Sequence, residues 1–288
     1  MDGGCVHRAR IKTNTPAKYL AAIDLDGTLL GAHATVSAEN RTALETLVAR
    51  GFEVVLASGR HPANMAEIAR DLPMVQWMVA CQGCEVADVA RERVLEQWVL
   101  PEAVALRIAE AGRAQGFGVV AYAAEGEVAP WPTEGVAGYE AISKTQVKII
   151  GEEAFKHTPL LKVVWVAPME RLDAMIEAGG VLDLADGIYT VRSHERVFEF
   201  MPNGITKATG VARLARELGI GAEAVVGFGD ADNDLPLFGW AGCSVAMPEA
   251  RPHVRAGATF TAPAGDQATA FARGVEVLLA NLPPGLGG

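Results

Sequence analysis

The chain has 288 residues, 50% of them hydrophobic and 21% charged, with 35 acidic against 25 basic side chains and a formal net charge of −10. Such a composition belongs to a globular protein and not to a disordered one. The acidic balance argues against a general nucleic-acid or membrane-surface role, because both need basic patches.

No apolar run reaches the roughly 18 residues expected of a transmembrane helix. Residues 1–17 are polar and basic, lack the apolar centre of a signal peptide, and read as a loose tail. Cys5, Cys81, Cys84 and Cys243 are too few and too irregularly spaced for a disulfide framework, which points to a reducing cytoplasm.

The first element is "YLAAIDL", residues 19–25, a continuous apolar run that reads as a buried strand and ends in Asp26-Gly27. "SAENRTALETLVARG" follows as a helix, with Ser37 as N-cap, Leu44, Leu47 and Val48 on one face, and Gly51 as its stop. "EVVLASGR" is a second strand running into a Ser-Gly turn, and "HPANMAEIARDL" a second helix with Pro62 at its start. "QWMVACQG" gives a third strand. Strands alternating with helices in this way imply parallel βαβ units and an open, doubly wound α/β sheet.

Past residue 85 the pattern changes. "CEVADVARERVLEQWVL" reads as a hairpin and "PEAVALRIAEAGRAQGFG" as a helix ending at glycine. Residues 117–197 then mix short apolar runs with Gly and Pro turns in α+β style. Strand–helix alternation returns at "FEFMPNGITKATGVARLARELG" and continues through "AVVGFGD", "CSVAM" and "ATFTAP". The expected organisation is a Rossmann-like α/β core, residues 18–85 and 198–288, interrupted by an inserted α+β cap, residues 86–197.

"IDLDGTLL" places Asp24 and Asp26 two positions apart where the first strand ends. Asp and Gly there suit a plain turn; equally, one carboxylate serves as nucleophile and the other as acid or base. In an open parallel sheet all strands end on one edge, where ligands bind. That edge gathers Asp24 and Asp26 with Asp230, Asp232 and Asp234 of "GDADND", and with Ser58 and Gly59 of "ASGR". Two like charges 4 Å apart repel by roughly 4 kcal/mol at an effective dielectric of 20, so such a cluster needs a counter-charge. An all-oxygen donor set favours Mg²⁺ over zinc or copper. A calcium loop fails, since its sixth position is Leu235 instead of Gly and its twelfth Ala241 instead of Glu.

"DLDGTLL", "ASGR", Lys207 of "PNGITK" and "GFGDADND" stand in the order and approximate spacing of four motifs. Together they resemble those of the haloacid dehalogenase-like phosphatases. The insertion between the second and third resembles the type IIB cap of the Cof-like sugar phosphatases, and the likeness spans about residues 18–280.

The resemblance implies a role for each group. Asp24 attacks phosphorus to form an aspartyl-phosphate. Asp26 protonates the leaving alkoxide and then activates the water that hydrolyses the intermediate. Asp24, the backbone carbonyl of Asp26 and Asp230 hold Mg²⁺, with Asp234 in support. Ser58, Gly59, Asn233 and the amide of Leu25 hold phosphate oxygens, and Lys207 neutralises charge on Asp24 and the transferring group.

Asp232 reads as a cap or a solvated carboxylate, and His61 as a surface residue. Two departures from the subfamily stand out: Gln82 of "CQGCE" where Asn is usual, and "SVAMPEA" in place of Met-Gly-Asn-Ala.

The resulting expectation is a Mg²⁺-dependent phosphatase of small phosphorylated metabolites, sugar phosphates first among them, with no nucleic-acid or membrane partner. Alternatives are a phosphomutase on the same scaffold, a non-catalytic metabolite-binding protein, or a thiol switch at Cys81-x-x-Cys84. Lys144, Lys148 and Arg192 in the cap read as surface charges. Neither the substrate nor the oligomeric state follows from the sequence.

Overall fold

The computed structural model describes residues 18–31, 35–179 and 187–282; the expected tail, residues 1–17, lies outside them. β1 (Tyr19–Ile23) is buried along its whole length. Its alternating side chains serve two faces. Leu20 and Ala22 share a core with Val211, Leu214 and Leu237, whereas Tyr19, Ala21 and Ile23 share one with Leu44, Leu47, Phe271 and Val275. A strand covered on both faces reads as a continuous apolar run, as this one does.

α1 (Ala38–Ala49) begins at Ser37, whose Oγ accepts from the Asn40 amide at 3.1 Å, satisfying one of the donors a helix start leaves open. β2 (Phe52–Ala57), α2 (Pro62–Ala69) and β3 (Trp77–Ala80) follow as expected. The hairpin β4 (Glu85–Asp88) and β5 (Val94–Gln97) then extends the same sheet antiparallel.

The chain next builds a second, six-stranded sheet. In chain order it comprises α3 (Glu102–Ala114), β6 (Gly118–Ala123), β7 (Gly126–Ala129) and α4 (Glu134–Ser143). β8 (Lys148–Ile149), α5 (Glu152–Lys156), β9 (Leu160–Val166) and α6 (Met169–Glu177) come next. β10 (Ile188–His194) and β11 (Val197–Pro202) complete it, in the order β10-β11-β9-β6-β7-β8. All neighbours pair antiparallel except β7 and β8. One face of this sheet packs Val163, Trp165 and Phe200 against Ile108 and Ala109 of α3. The opposite face carries the intervening residues, among them Tyr122, Lys162, Val164 and Glu199, because side chains alternate along a strand.

α7 (Lys207–Leu218), β12 (Val225–Gly229), α8 (Leu235–Trp240) and β13 (Cys243–Ala246) return to the first sheet. α9 (Pro252–Ala256), β14 (Phe260–Thr261) and α10 (Ala270–Ala280) finish it. Its order is β14-β13-β12-β1-β2-β3-β4-β5, with the first six strands parallel. Numbered among themselves, those six run 3-2-1-4-5-6 from β3 to β14, the doubly wound order whose direction reverses between β1 and β12.

The expected boundaries differ from the pairing in two places. The 85–97 hairpin belongs to the first sheet, not to the insertion, and "FEFMP" pairs as β11 in the second sheet, not as a returning core strand. The hairpin crosses no helix, so it ends the βα alternation without leaving the sheet. "FEFMP" carries the alternation of any half-buried strand, which cannot tell one sheet from another. Among the described residues, no helix is long and apolar enough to cross a membrane.

Candidate active site

The reversal between β1 and β12 brings distant residues together. The Asp24 amide donates to the Phe228 carbonyl at 3.0 Å, which ties the end of β1 to the end of β12. The chain then turns at Gly27, whose φ of +81° is left-handed. A β-carbon at Gly27 would stand 2.3 Å from Asp230 Oδ2. Only glycine both adopts that turn and lets the Asp230 carboxylate come so close. Thr28, buried, donates to Asp230 Oδ1 at 3.4 Å.

Lys207 opens α7 directly after the N-cap Thr206. Its ammonium is buried and donates to Asp24 Oδ1 at 2.6 Å and to Asp234 Oδ1 at 2.7 Å. The other oxygen of Asp234 accepts the amides of Asp230 and Ala231 at 3.0 and 3.1 Å. Both oxygens of Asp234 are thus engaged, and this residue fixes the loop that presents Asp230.

One oxygen from each of Asp24, Asp230 and Asp234 lies within 4.8 Å of the others. Burial pushes Asp24 well above the usual carboxylate range, while Lys207 pulls it back. Burial, then the Asp234 charge, pushes Asp230 up to about 6. Burial works against the charge on Lys207 too, yet Asp234 and Asp24 hold its ammonium above its ordinary value. Three carboxylates against one ammonium leave two negative charges in a mostly buried cluster of oxygen donors. One divalent hard cation supplies that deficit, so the residues present fit such an ion.

Asp26 points elsewhere. Its exposed carboxylate is gripped by Arg60, Nε to Oδ2 at 2.8 Å and Nη2 to Oδ1 at 2.6 Å. That hydrogen bond is the main reason the Arg60 guanidinium sits above its ordinary value. Leu25 is fully buried, and its carbonyl accepts from the amides of Thr28 and Leu30. Ser58 is buried at the end of β2, where its Oγ accepts the Arg60 amide at 3.2 Å. Asn233 donates through Nδ2 to Gln82 Oε1 at 3.0 Å. Asp24, Asp26, Ser58, Gly59, Asp230 and Asn233 all border one cavity of about 550 Å³. Asp232 instead pairs with Arg251 at 3.3 Å and with His253.

The second sheet and its helix α4 roof this cavity, the sheet with Tyr122, Glu127, Val164, His194 and Glu199 and the helix with Tyr139. Lys162 is buried between Glu199 Oε2 at 2.6 Å and the Gly59 carbonyl at 2.8 Å, with its ammonium 4.1 Å from the centre of the Tyr122 ring. A cap lysine therefore holds the Ser58-Gly59 turn across the gap between the sheets. Sequence reading passed over it, although a lone lysine in "LLKVVWV" and a lone glutamate in "VFEFM" are visible interruptions of apolar strands. Lys144 and Lys148 are exposed as expected, and Arg192 is bound to Asp173.

His61 differs from expectation: it is buried, its Nδ1 accepting the Ala63 amide as the N-cap of α2 and its Nε2 donating to the Ala123 carbonyl at 2.8 Å. Burial lowers its pKa. Both ring nitrogens are engaged, Nδ1 in capping α2 and Nε2 in joining the two sheets. Cys81 and Cys84 are buried free thiols, the first raised well above the ordinary value by burial and the second pushed up to about 12. Low-pKa exposure, which a thiol switch requires, is missing from both.

The fold and this edge define an α/β enzyme whose carboxylate-lined site lies at the sheet reversal, beneath an inserted α+β cap. The sequence matches the haloacid dehalogenase-like hydrolases over residues 21–273, and the chain belongs to that family, as an enzyme of its phosphatase branch. It is 26% identical over 241 residues to the HMP-PP phosphatase of Serratia proteamaculans, covering 82% of this chain and 86% of that one. A haloacid dehalogenase-like hydrolase structure from Bacteroides thetaiotaomicron superposes with a TM-score of 0.78 at 26% identity, over 90% of this chain and 99% of that one. A subclass IIB sugar phosphatase shares the fold with a TM-score of 0.80 at 20% identity, over 90% and 98% of the two chains.

Proposed function

We propose that the protein is a Mg²⁺-dependent phosphatase of small phosphorylated metabolites, sugar phosphates first among them, working through an aspartyl-phosphate on Asp24. The observation that carries this reading is the Asp24–Lys207 contact at 2.6 Å beside a cavity of about 550 Å³, with Asp230 on the facing loop. The HMP-PP phosphatase and the subclass IIB sugar phosphatase named above support the substrate class.

Lys207 occupies Asp24 Oδ1, where it works against the upward push of burial on the carboxylate and leaves the other oxygen for phosphorus. Attack forms the acyl-phosphate and breaks the bond to the alkoxide. Asp26 delivers a proton to that alkoxide and later takes one from water. For this Asp26 has to leave Arg60, whose guanidinium is then free to meet the phosphoryl oxygens. Ser58, the Gly59 amide, the Leu25 amide and Asn233 orient the group, which is most of what phosphoryl transfer asks of a protein. Asp24, Asp230 and the Asp26 carbonyl would hold Mg²⁺, with Asp234 fixing their loop; the ion would offset charge on the transferring group. The inserted sheet, residues 102–202 by its elements, acts as the cap that selects the ester and excludes water.

A panel of phosphorylated sugars, nucleotides and cofactors, assayed for orthophosphate release, tests the reading. Release with Mg²⁺ that stops in EDTA is expected. Full activity in verified metal-free protein, or no release from any ester, overturns it. Isomerisation of a sugar phosphate without matching free phosphate would replace it with a mutase.

A further inference from the structure

Three consecutive residues of the turn after β3 hold positive φ: Cys81 at 52°, Gln82 at 62° and Gly83 at 109°. Among side-chain-bearing residues, Asn tolerates this region better than Gln does. An Asn at position 82 would therefore suit the backbone better, and the extra methylene of Gln has to be explained by where it takes the carboxamide.

It takes it to the border of the cavity. Gln82 is 2% exposed and borders the cavity beside Asp24, Ser58 and Asn233. Its Nε2 lies against Gly59, 2.5 Å from where a β-carbon of that residue would stand. Oε1 accepts from Asn233 Nδ2 at 3.0 Å, but Gln82 Nε2 and Asn233 Oδ1, both buried, have no hydrogen-bond partner.

Two facing carboxamides can exchange two hydrogen bonds, and these make one. Turning both amides over exchanges the atoms and leaves the same remainder, one donor and one acceptor. Buried polar atoms without partners are uncommon in native proteins and call for an explanation. A neutral donor is also well suited to this place. Beside Asp24 and Asp230 it can meet an anionic oxygen without altering the charge balance, and hydrogen bonds to charged groups are the strong ones.

We propose that Gln82 is a substrate-binding residue: Nε2 donates to a phosphoryl oxygen of the ester held over Asp24, while Asn233 Oδ1 accepts from a protonated oxygen of the same ligand. The inference rests on the phosphatase reading and adds to it a contact made by this chain's own departure from the subfamily's Asn. The competing role is that of a prop, with Gln82 acting only by holding Asn233.

Calorimetric titration with orthophosphate in the presence of Mg²⁺ separates these roles without requiring turnover. Gln82→Leu is expected to weaken orthophosphate binding by about tenfold or more, the scale of one hydrogen bond to a charged group, and to weaken it again in an Asn233→Ala background. Gln82→Asn suits the local backbone, so it guards against misfolding; it retracts the amide by one methylene and should bind as weakly as Gln82→Leu. Three results would overturn the proposal: wild-type binding in Gln82→Leu, no orthophosphate binding in the wild type, or identical loss in Asn233→Ala and the double variant. Should the wild type hydrolyse no ester yet bind orthophosphate through Gln82, the contact stands and the phosphatase reading falls. Ester hydrolysis with orthophosphate binding indifferent to Gln82 gives the reverse.

Discussion

Arg60 closes on Asp26 with two guanidinium nitrogens, at 2.8 and 2.6 Å, across 34 residues of sequence. The pair sits at the rim, with the two side chains 30% and 59% exposed. An exposed pair contributes only about 0–1 kcal/mol to stability, so Arg60→Ala should leave the urea midpoint almost unmoved. Among the described residues bordering the cavity, Arg60 is the single lysine or arginine. Its loss should therefore appear in KM, raised several-fold for small phosphate esters. A large stability loss with unchanged KM would show that Arg60 is structural.

The two carboxylates of "DLDG" should separate kinetically. In the proposed mechanism Asp24 is the nucleophile, so Asp24→Asn should abolish turnover. With Asp26 as the proposed acid and base, Asp26→Asn should lose proton transfer, a contribution of about 10²–10⁴-fold, and the loss should shrink for p-nitrophenyl phosphate, whose leaving group needs little protonation. Rapid quench should show a burst and an accumulating acyl-phosphate in Asp26→Asn and none in Asp24→Asn. Equal loss of burst and turnover in both folded variants contradicts this division.

Lys207 joins Asp24 to Asp234 with its ammonium fully buried. Removing one partner of a buried ion pair typically costs about 3–5 kcal/mol, because the remaining charge stays unpaired. Lys207→Met should lose that much in urea unfolding in EDTA, and millimolar Mg²⁺ should return part of it. A variant as stable as the wild type in EDTA would mean that the lysine does not compensate these carboxylates.

Asp230 gives stability a pH dependence with a definite sign. Its folded value is about 6 against an ordinary 3.8. Between those values the folded state binds more protons than the unfolded one. The contribution is therefore intact below about pH 4 and is lost as the pH rises through about 6. Metal-free protein should lose on the order of 2 kcal/mol across that window relative to Asp230→Asn, at about 1.4 kcal/mol per pH unit. Mg²⁺ should flatten the profile by favouring the ionised form. Wild-type stability that holds or rises relative to Asp230→Asn between pH 4 and 6 in EDTA would refute the assignment.

Cys81 and Cys84 should behave as core residues. Native protein should react with a thiol reagent only as fast as it opens, and Cys81→Ala with Cys84→Ala should keep turnover within a few-fold. A redox response of activity that disappears in the double variant would restore the thiol switch.

What the sequence made legible follows from locality. Asp24, Ser58, Lys207 and Asp230 each sit at the end of a strand or the start of a helix, where apolar periodicity and turn residues mark the position. The sheet edge then brings them together without any knowledge of side-chain contacts. Legibility failed where the deciding fact was a partner distant in sequence. Nothing near His61 announces the Ala123 carbonyl, and nothing near Lys162 announces Gly59, 103 residues away. Sheet membership failed for the same reason: "FEFMP" shows its period but not its neighbours.

The central placing of β1 has a further consequence, for how the chain folds. β1 lies between β2, which follows within thirty residues or so, and β12, about two hundred residues downstream. While the chain is being made, β1 is an open edge: apolar on both faces, hydrogen-bonding groups unmatched on one side, and thus a template for pairing with another molecule. Contacts that close such long loops form slowly. A chain stopped after β11 has Asp24, Ser58 and the whole second sheet but lacks Lys207, Asp230 and Asp234. Activity should therefore arise late and all at once, when β12 docks, and the aggregation-prone interval should end at that same step.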